Sequence, residues 1–278
     1  MTTNTKTGLA DDVARALAED VGDGDLTAEL IPHSTQIDAR VICRDAASIA
    51  GQPWFDETFR QIDADVTIDW QVEEGATVPA DTLLCQIQGR ARSILTAERT
   101  ALNFLQTLSA TATATARCVA QLAGTSTRLL DTRKTIPGLR LAQKYAVAIG
   151  GGTNHRIGLH DAVLIKENHI MAAGSIAAAV KAARHKGYGN LLEVEVETLQ
   201  QLQEAIDAGA QRALLDNFSN DGLRAAVDMA KGTIELEASG GFELNDLAAV
   251  AATGVDFISV GAITKHIHAI DLSMRFHT

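Results

Sequence analysis

Six short polar segments of this chain follow apolar runs, and their residue types suit the binding of an anionic small molecule. Arginine and lysine recur in them, and one guanidinium can engage two oxygens of a carboxylate or phosphate. Acids and glycines complete the segments, which are Asp131–Thr135, Lys166–His169, Glu193–Glu195, Asp216–Asn217, Ser239–Gly241 and Gly261. A single charged loop is usually solvated surface, whereas six such segments at strand ends predict a shared pocket.

The charge of the chain is distributed unevenly. Its formal net charge of −11 disfavours nucleic acid or an anionic membrane surface as the main partner. Residues 127–170 nevertheless contain seven basic and three acidic side chains, a local charge of +4. We interpret this stretch as a cationic cluster that binds carboxylates or phosphates through Arg133, His155 and Arg156. The alternative is that these cations form salt bridges with acids elsewhere in the chain.

Two further groups of residues suit phosphate and a divalent cation. Backbone N–H groups after the late strands of α/β barrels bind phosphate, and the candidates here are Ser239, Gly240, Gly241 and Gly261. Glu195 and Asp216 are carboxylates of the kind that hold Mg²⁺ together with substrate phosphates. These two acids also suit a role as ion-pair partners of Lys134 and Lys166.

The elements that position these residues follow from the hydrophobic periodicity. A three-to-four-residue spacing from Ile94 to Val119 predicts one long amphipathic helix. Beyond it, six short apolar strands end in the polar segments above, and five of them precede a helix with polar caps. This alternation predicts parallel strands joined by right-handed crossovers, and therefore an α/β barrel, complete or open.

The chain up to about Arg92 has a different hydrophobic pattern. Short apolar runs surround one helix-like stretch at 53–62, which predicts a small α+β domain. Residues 72–87 are similar to the turn of a lipoyl or biotinyl carrier domain, but no lysine lies at a hairpin tip, so a plain hairpin is the preferred interpretation. His266 and His268 lie two apart in a predicted final strand at 266–276. They are a weak metal candidate without a third ligand.

The cellular location is predicted from composition. Cys43, Cys85 and Cys118 are widely spaced and match no metal-binding or disulfide pattern, as expected of reduced thiols in a cytoplasmic protein. The first residues lack an apolar leader, and residues 100–116 are too rich in threonine to span a bilayer.

Long motifs in the chain closely resemble the quinolinate phosphoribosyltransferase family, the decarboxylating enzymes of de novo NAD synthesis. The strongest are DTRKTIPGLR at 131–140, KYAVAIGGGTNHRIGLHD at 144–161 and LIKENHI at 164–170. Shorter matches extend the resemblance over nearly the whole chain; they lie at 19–27, 97–106, 193–197, 214–218 and 238–241. Ala110 departs from the glycine that is common at its position.

The resemblance implies a fold and an assembly. The fold is an α/β sandwich domain at 1–108, joined by a C-terminal strand at 266–278, and an open α/β barrel at 109–265. The implied assembly is a homodimer in which Arg99 reaches the partner's site.

The resemblance also implies a role for each site residue. The substrates would be quinolinate and phosphoribosyl pyrophosphate, with Mg²⁺. Quinolinate's carboxylates would contact Arg133, His155, Arg156 and Lys166, while Lys134 contacts phosphoribosyl pyrophosphate. Glu195 and Asp216 would serve the ribose and the Mg²⁺–pyrophosphate, and the four glycine-rich positions named above would bind the 5′-phosphate. Lys134, Lys166, Glu195 and Asp216 are the expected catalytic residues.

Two other enzymatic interpretations remain. A paralogue encoded with molybdate transporters has the same fold and part of the signature, although the intact run from Lys166 to His169 favours the transferase. A Schiff-base lyase would instead use Lys166 as a nucleophile at a strand end.

Overall fold

The computed structural model describes residues 6–187 and 191–277 and divides into two compact units. The first unit comprises Met1–Ala116, Thr135–Gly151 and Ile263–Thr278, and the second comprises Arg117–Lys134 and Gly152–Ala262. The domain limits expected from the sequence, 1–108 with 266–278 and 109–265, stay a prediction. Residues 1–5 and 278 of those limits lie outside the described residues.

A four-stranded antiparallel sheet lies in the first unit. Its order is β12-β1-β5-β3, and its strands are β1 (Gln36–Cys43), β3 (Thr67–Trp70), β5 (Thr82–Arg90) and β12 (Leu272–His277). A two-stranded sheet pairs β2 (Ala47–Ser48) with β4 (Thr77–Val78). Alternate residues of β1, namely Ala39, Val41 and Cys43, are buried in the apolar core, as expected of a sheet with one covered face.

Four helices of this unit pack apolar side chains into two core clusters. They are α1 (Leu9–Val21), α2 (Gln52–Ile62), most of α3 (Ala91–Gln121) and α4 (Arg140–Ile149). The unit also contains most of the short α10 (Ala262–Lys265) and a 3₁₀ turn at Ala28–Leu30. The polar residues of α3 have a structural use, since the Ser109 hydroxyl accepts the Ala50 N–H at 3.0 Å and the Thr113 hydroxyl accepts the Ser48 N–H at 2.9 Å. No helix in the described part of the chain is long and apolar enough to cross a membrane.

The second unit is a parallel six-stranded sheet with helices between its strands. The order is β6-β11-β10-β9-β8-β7, with β6 (Arg128–Leu130), β7 (Val163–Ile165), β8 (Leu192–Val196), β9 (Arg212–Asp216), β10 (Glu235–Ser239) and β11 (Phe257–Ser259). The helices are α5 (Glu167–Ala173), α6 (Ile176–His185), α7 (Leu199–Asp207), α8 (Asn220–Ala230) and α9 (Leu247–Ala251), which follows a 3₁₀ turn at Leu244–Asp246. The hydroxyls of Ser175, Thr198 and Ser219 cap α6, α7 and α8. The predicted fold class is confirmed.

Three local expectations are corrected. Helix α5 was not predicted, because no residue in it is buried and it therefore lacks an apolar stripe. The final strand begins at Leu272 rather than at residue 266, since its partner β1 ends at Cys43 opposite Leu272. His266 and His268 consequently precede the strand and do not share a strand face. Residues 72–87 do not form the expected plain hairpin. They contain β4, which belongs to the two-stranded sheet, and most of β5, which belongs to the four-stranded sheet.

The triple glycine that ends α4 predicts a specific cost of substitution. A Cβ at Gly150 would lie 2.5 Å from the Ala112 carbonyl oxygen and 2.8 Å from Thr115 Cβ, both on α3. Gly150→Ala is therefore expected to lower the free energy of unfolding by about 1–3 kcal/mol, measured by urea denaturation. Gly241→Ala is the control, since nothing lies within 4 Å of its Cβ position and a loss below about 0.5 kcal/mol is expected. Equal losses in both variants would contradict this explanation.

Candidate active site

A cavity of about 240 Å³ lies at the carboxyl ends of the six parallel strands. It brings together eight of the predicted site residues: Arg133, Lys134, His155, Arg156, Lys166, Glu195, Asp216 and Ser239. The other lining residues are Asp131, Thr132, Leu164, Leu214, Glu237 and Ser259. The lining thus comes from seven separate parts of the sequence, namely the six strand ends and the loop of His155 and Arg156, as expected for the functional end of a parallel α/β sheet.

The other four predicted residues are not among those that line the cavity; they are Gly240, Gly241, Gly261 and Arg99. A Cβ at Gly261 would lie 2.9 Å from Lys134 Cδ, so Gly261 lies directly beside the Lys134 side chain. Gly240 and Gly241 directly follow Ser239, and a Cβ at Gly240 would lie 3.2 Å from Asn217 Oδ1. Arg99 belongs to α3 in the first unit. A larger cavity of about 420 Å³ lies in that unit between α1, α3 and residues 137–139, and none of the predicted site residues lines it.

The charge of the cavity is balanced rather than cationic. Four basic side chains, those of Arg133, Lys134, Arg156 and Lys166, line it together with four carboxylates, those of Asp131, Glu195, Asp216 and Glu237. The net charge of +4 was counted over residues 127–170 alone. Strands β8, β9 and β10, which lie outside that stretch, bring the acids that compensate it in the cavity. Lys166 Nζ is hydrogen-bonded to Glu195 Oε2, which confirms for this pair the ion-pair alternative.

Two guanidiniums crowd one wall of the cavity. Burial lowers the pKa of Arg156, and the neighbouring positive charge of Arg133 lowers it further. Like charges in this arrangement repel until an anion lies between or beside them. The wall is therefore suited to a ligand with one or more carboxylates, which a guanidinium can bind through two hydrogen bonds.

His155 lies at the floor of the cavity, where both of its ring nitrogens have partners. Its Nε2 lies 2.8 Å from Glu193 Oε2 and 3.2 Å from Glu237 Oε2, and its Nδ1 accepts the Arg156 N–H at 2.7 Å. Burial lowers the pKa of His155, but hydrogen bonds and charge from the two glutamates outweigh it and raise the pKa to about 9. A pKa of about 9 would by itself place protons on both ring nitrogens near neutral pH, but a proton on Nδ1 would point at the Arg156 N–H. The hydrogen-bond geometry therefore favours a ring protonated at Nε2 alone.

Glu193 lies in one of the polar segments predicted to share the pocket but was assigned no role from the sequence, and Glu237 was not predicted. Each is about 1% exposed, and burial together with the charge of Glu237 raises the pKa of Glu193 to about 7. The sequence does carry a signal, because Glu193 precedes Glu195 by two residues and Glu237 precedes Ser239 by two. Residues two apart in a strand point to the same face, so both acids lie on the cavity side of the sheet.

The same three residues are close enough to hold a metal ion. Their ligand atoms, from His155, Glu193 and Glu237, lie within 4.8 Å of one another. A histidine that binds metal through Nε2 normally donates a hydrogen bond from Nδ1, whereas here Nδ1 accepts one from Arg156. The arrangement fits a hydrogen-bonded cluster better than a metal site.

Asp131 anchors the loop that carries His155 and Arg156. This fully buried carboxylate accepts the His155 N–H at 2.8 Å and the Asn154 side-chain amide at 2.7 Å. The loop also closes on Asp161, which accepts the N–H groups of Ile157 and Gly158. These carboxylate–backbone bonds fix the position of the loop relative to β6.

Replacing the anchor is expected to destabilise the protein. In Asp131→Asn the new amide group presents a donor to a buried donor, so the free energy of unfolding should fall by about 1–3 kcal/mol. The measurement is the urea midpoint at unchanged m-value. Asp228→Asn, on the exposed face of α8, is the matched control. A loss in Asp131→Asn no larger than in the control would contradict the anchoring role.

Comparison with known proteins gives consistent matches over almost the whole chain. Residues 111–275 match the family model described as quinolinate phosphoribosyl transferase, C-terminal domain, and residues 25–109 match that of the N-terminal domain. A probable nicotinate-nucleotide pyrophosphorylase [carboxylating] of Bacillus subtilis is 40% identical over 92% of this chain and 89% of its own. A nicotinate-nucleotide pyrophosphorylase [carboxylating] of Mycobacterium leprae is 39% identical, with 95% of each chain covered. The solved structure of the nicotinate-nucleotide pyrophosphorylase from Francisella tularensis has a TM-score of 0.95 and 49% identity, covering 98% of this chain and 97% of that one.

Proposed function

The chain belongs to the quinolinate phosphoribosyltransferase family, and from this premise we propose how its cavity carries out the family's reaction. The enzyme converts quinolinate and 5-phosphoribosyl-1-pyrophosphate to nicotinate mononucleotide, pyrophosphate and CO₂, a step of NAD biosynthesis. The observation that carries our assignment of the site is the convergence of Arg133, Arg156 and Lys166 on one cavity. Quinolinate is a dicarboxylate, and these three cations suit its two carboxylates.

Quinolinate occupies the wall formed by Arg133 and Arg156. Its negative charge relieves the repulsion between the two guanidiniums, which supports this placement. His155 forms the floor beside Arg156, and Lys166 faces the same space. The Glu195 carboxylate engages the amine of Lys166, which suits an electrostatic role better than the alternative of nucleophilic Schiff-base chemistry.

Phosphoribosyl pyrophosphate occupies the other side of the cavity. Ser239, Gly240, Gly241 and Gly261 receive its 5′-phosphate through hydroxyl and backbone N–H groups. The carboxylates of Glu195 and Asp216 are the hard oxygen donors that Mg²⁺ prefers, and they end the adjacent strands β8 and β9. Bound there with the pyrophosphate, Mg²⁺ would neutralise part of the charge on the leaving group.

The chemistry needs positioning and charge stabilisation more than covalent catalysis. The ring nitrogen of quinolinate forms a bond to C1 of the ribose as the bond from C1 to pyrophosphate breaks, through an oxocarbenium-like state. Lys134 and Lys166 stabilise the negative charge that the departing pyrophosphate gains. The alkylated ring, now a pyridinium, holds the electron pair left at C2 when the adjacent carboxylate leaves as CO₂. A proton then replaces the carboxylate at C2.

Substitution of a cavity arginine tests the placement of quinolinate. Arg133→Ala removes a bidentate donor to a carboxylate, so the KM for quinolinate should rise by one to three orders of magnitude, or about 1.5–4 kcal/mol. The measurement is steady-state formation of nicotinate mononucleotide, with urea denaturation as the check that the fold is intact. Arg224→Ala, an exposed arginine of α8, should leave the kinetics unchanged. Near-normal quinolinate KM in Arg133→Ala would remove this residue from the site.

We further propose a homodimer in which Arg99 completes the partner's site. The support is that Arg99 lies in the first unit, apart from the residues that line the cavity of the second unit. A location in the cytoplasm stays a prediction.

Subunit mixing tests the shared site. At quinolinate concentrations at or below the wild-type KM, Arg99→Ala and Arg133→Ala are each expected to be nearly inactive alone. In a mixed dimer, one site combines intact Arg133 from one subunit with intact Arg99 from the other, so random reassortment should restore roughly a quarter of wild-type activity. Recovery is measured after the two variants are co-refolded, and a mixture of Arg133→Ala with Arg156→Ala is the control that should not recover. Failure of the first mixture to gain activity over the control, with mixed dimers verified by mass spectrometry, would contradict a shared site.

A further inference from the structure

Buried acids lie beneath the cavity, where the interior of a parallel barrel is normally filled by branched apolar side chains. Glu193 and Glu237 are both about 1% exposed and meet around one atom, Nε2 of His155. Burying two carboxylates side by side is costly. The reaction outlined above assigns neither of them a contact with substrate.

Neighbouring side chains help to orient the two carboxylates toward His155. Ser259 donates a hydrogen bond to Glu237, and Arg212 Nη1 lies 3.7 Å from Glu237 Oε2. Arg212 is itself held by Glu235 at 2.7 Å and stacks on Phe257 with its guanidinium carbon 3.9 Å from the ring centre. Among the described residues, Glu193 Oε1 has no hydrogen-bond partner, and Glu193 makes polar contacts with His155, through Oε2, and with the neighbouring Glu237.

The orientation of the His155 ring in turn constrains the backbone of Arg156. With its proton on Nε2 directed at Glu193, the lone pair of Nδ1 is left for the Arg156 N–H, at 2.7 Å. The backbone of residue 155 is fixed independently by the bond from its N–H to Asp131. The ring orientation therefore determines the backbone position from which the Arg156 side chain extends toward the cavity.

We propose that Glu193 and Glu237 are positioning residues, which fix the Nε2-protonated tautomer of His155 and thereby hold Arg156 where its guanidinium binds the substrate's carboxylate. This deepens the proposed function and rests on it, since it takes quinolinate to be the ligand of Arg156. In this arrangement His155 acts mainly by orienting Arg156, because both of its ring nitrogens already have protein partners.

The first test is kinetic. Glu237→Gln and Glu193→Gln keep the side-chain volume, but each removes a negative charge that attracts the proton to Nε2 and so weakens the preference for this tautomer. In each variant the KM for quinolinate is expected to rise about tenfold, as for loss of one charge-assisted hydrogen bond, while kcat and the KM for phosphoribosyl pyrophosphate change by less than about twofold. Glu204→Gln, an exposed acid of α7, is the matched control and should leave quinolinate KM unchanged. An unchanged quinolinate KM in both folded glutamine variants would overturn the proposal.

A double-mutant cycle separates positioning of Arg156 from a general structural effect. If the acids act through Arg156, adding Glu237→Gln to an Arg156→Ala enzyme should change quinolinate KM by less than about twofold. Full additivity of the two effects would overturn the proposal.

A spectroscopic test needs no turnover. In the ¹⁵N-labelled enzyme, the His155 signals, assigned by comparison with His155→Gln, should show protonated Nε2 and unprotonated Nδ1, and Glu237→Gln should convert them toward the opposite tautomer. A wild-type His155 protonated at Nδ1, whether alone or together with Nε2, would refute the tautomer. Absence of quinolinate turnover in the wild-type enzyme would refute the proposed function instead, so the two failures are distinguishable.

Discussion

Charged groups that are gathered in a partly buried cavity must be balanced, and this constraint shapes the whole second unit. Arginines and lysines are needed to bind two polyanionic substrates, yet without compensation they would repel one another in the empty cavity. The fold supplies equal numbers of carboxylates from neighbouring strands. Substrate binding therefore exchanges internal ion pairs, such as that of Lys166 with Glu195, for pairs with the ligand.

The two-residue repeat of a β-strand lets one strand serve both structure and chemistry. On β8, Glu195 faces the open cavity and Glu193 lies one layer deeper on the same face; on β10, Ser239 and Glu237 have the same relation. We propose that the outer layer contacts substrate and that the deeper layer positions the groups that do. Asp131 plays a comparable part at the end of β6, where it anchors the backbone of the histidine loop.

Much of this organisation could be predicted from the sequence, because it is local. The six strands and the helices between them follow from apolar periodicity and polar caps, and eight site residues line one cavity because parallel strands end at one edge. The deeper layer was missed, since the contact of His155 with Glu193 and Glu237 joins a loop to two strands that are not adjacent in the sheet. The balance of charge was missed for the same reason: a count along 127–170 omits acids that only the fold brings near. Helix α5 was missed because it buries no residue.

We propose that one cavity, in which positive and negative charges are balanced, carries out both ribosyl transfer and decarboxylation. The most direct test uses quinolinate labelled with ¹³C in its C2 carboxylate and follows labelled CO₂ and pyrophosphate together in the presence of Mg²⁺. We expect equal amounts of the two products, and no labelled CO₂ until phosphoribosyl pyrophosphate is added, because the ring must be alkylated before it can hold the electron pair. Release of labelled CO₂ without phosphoribosyl pyrophosphate, or pyrophosphate without CO₂, would contradict the account.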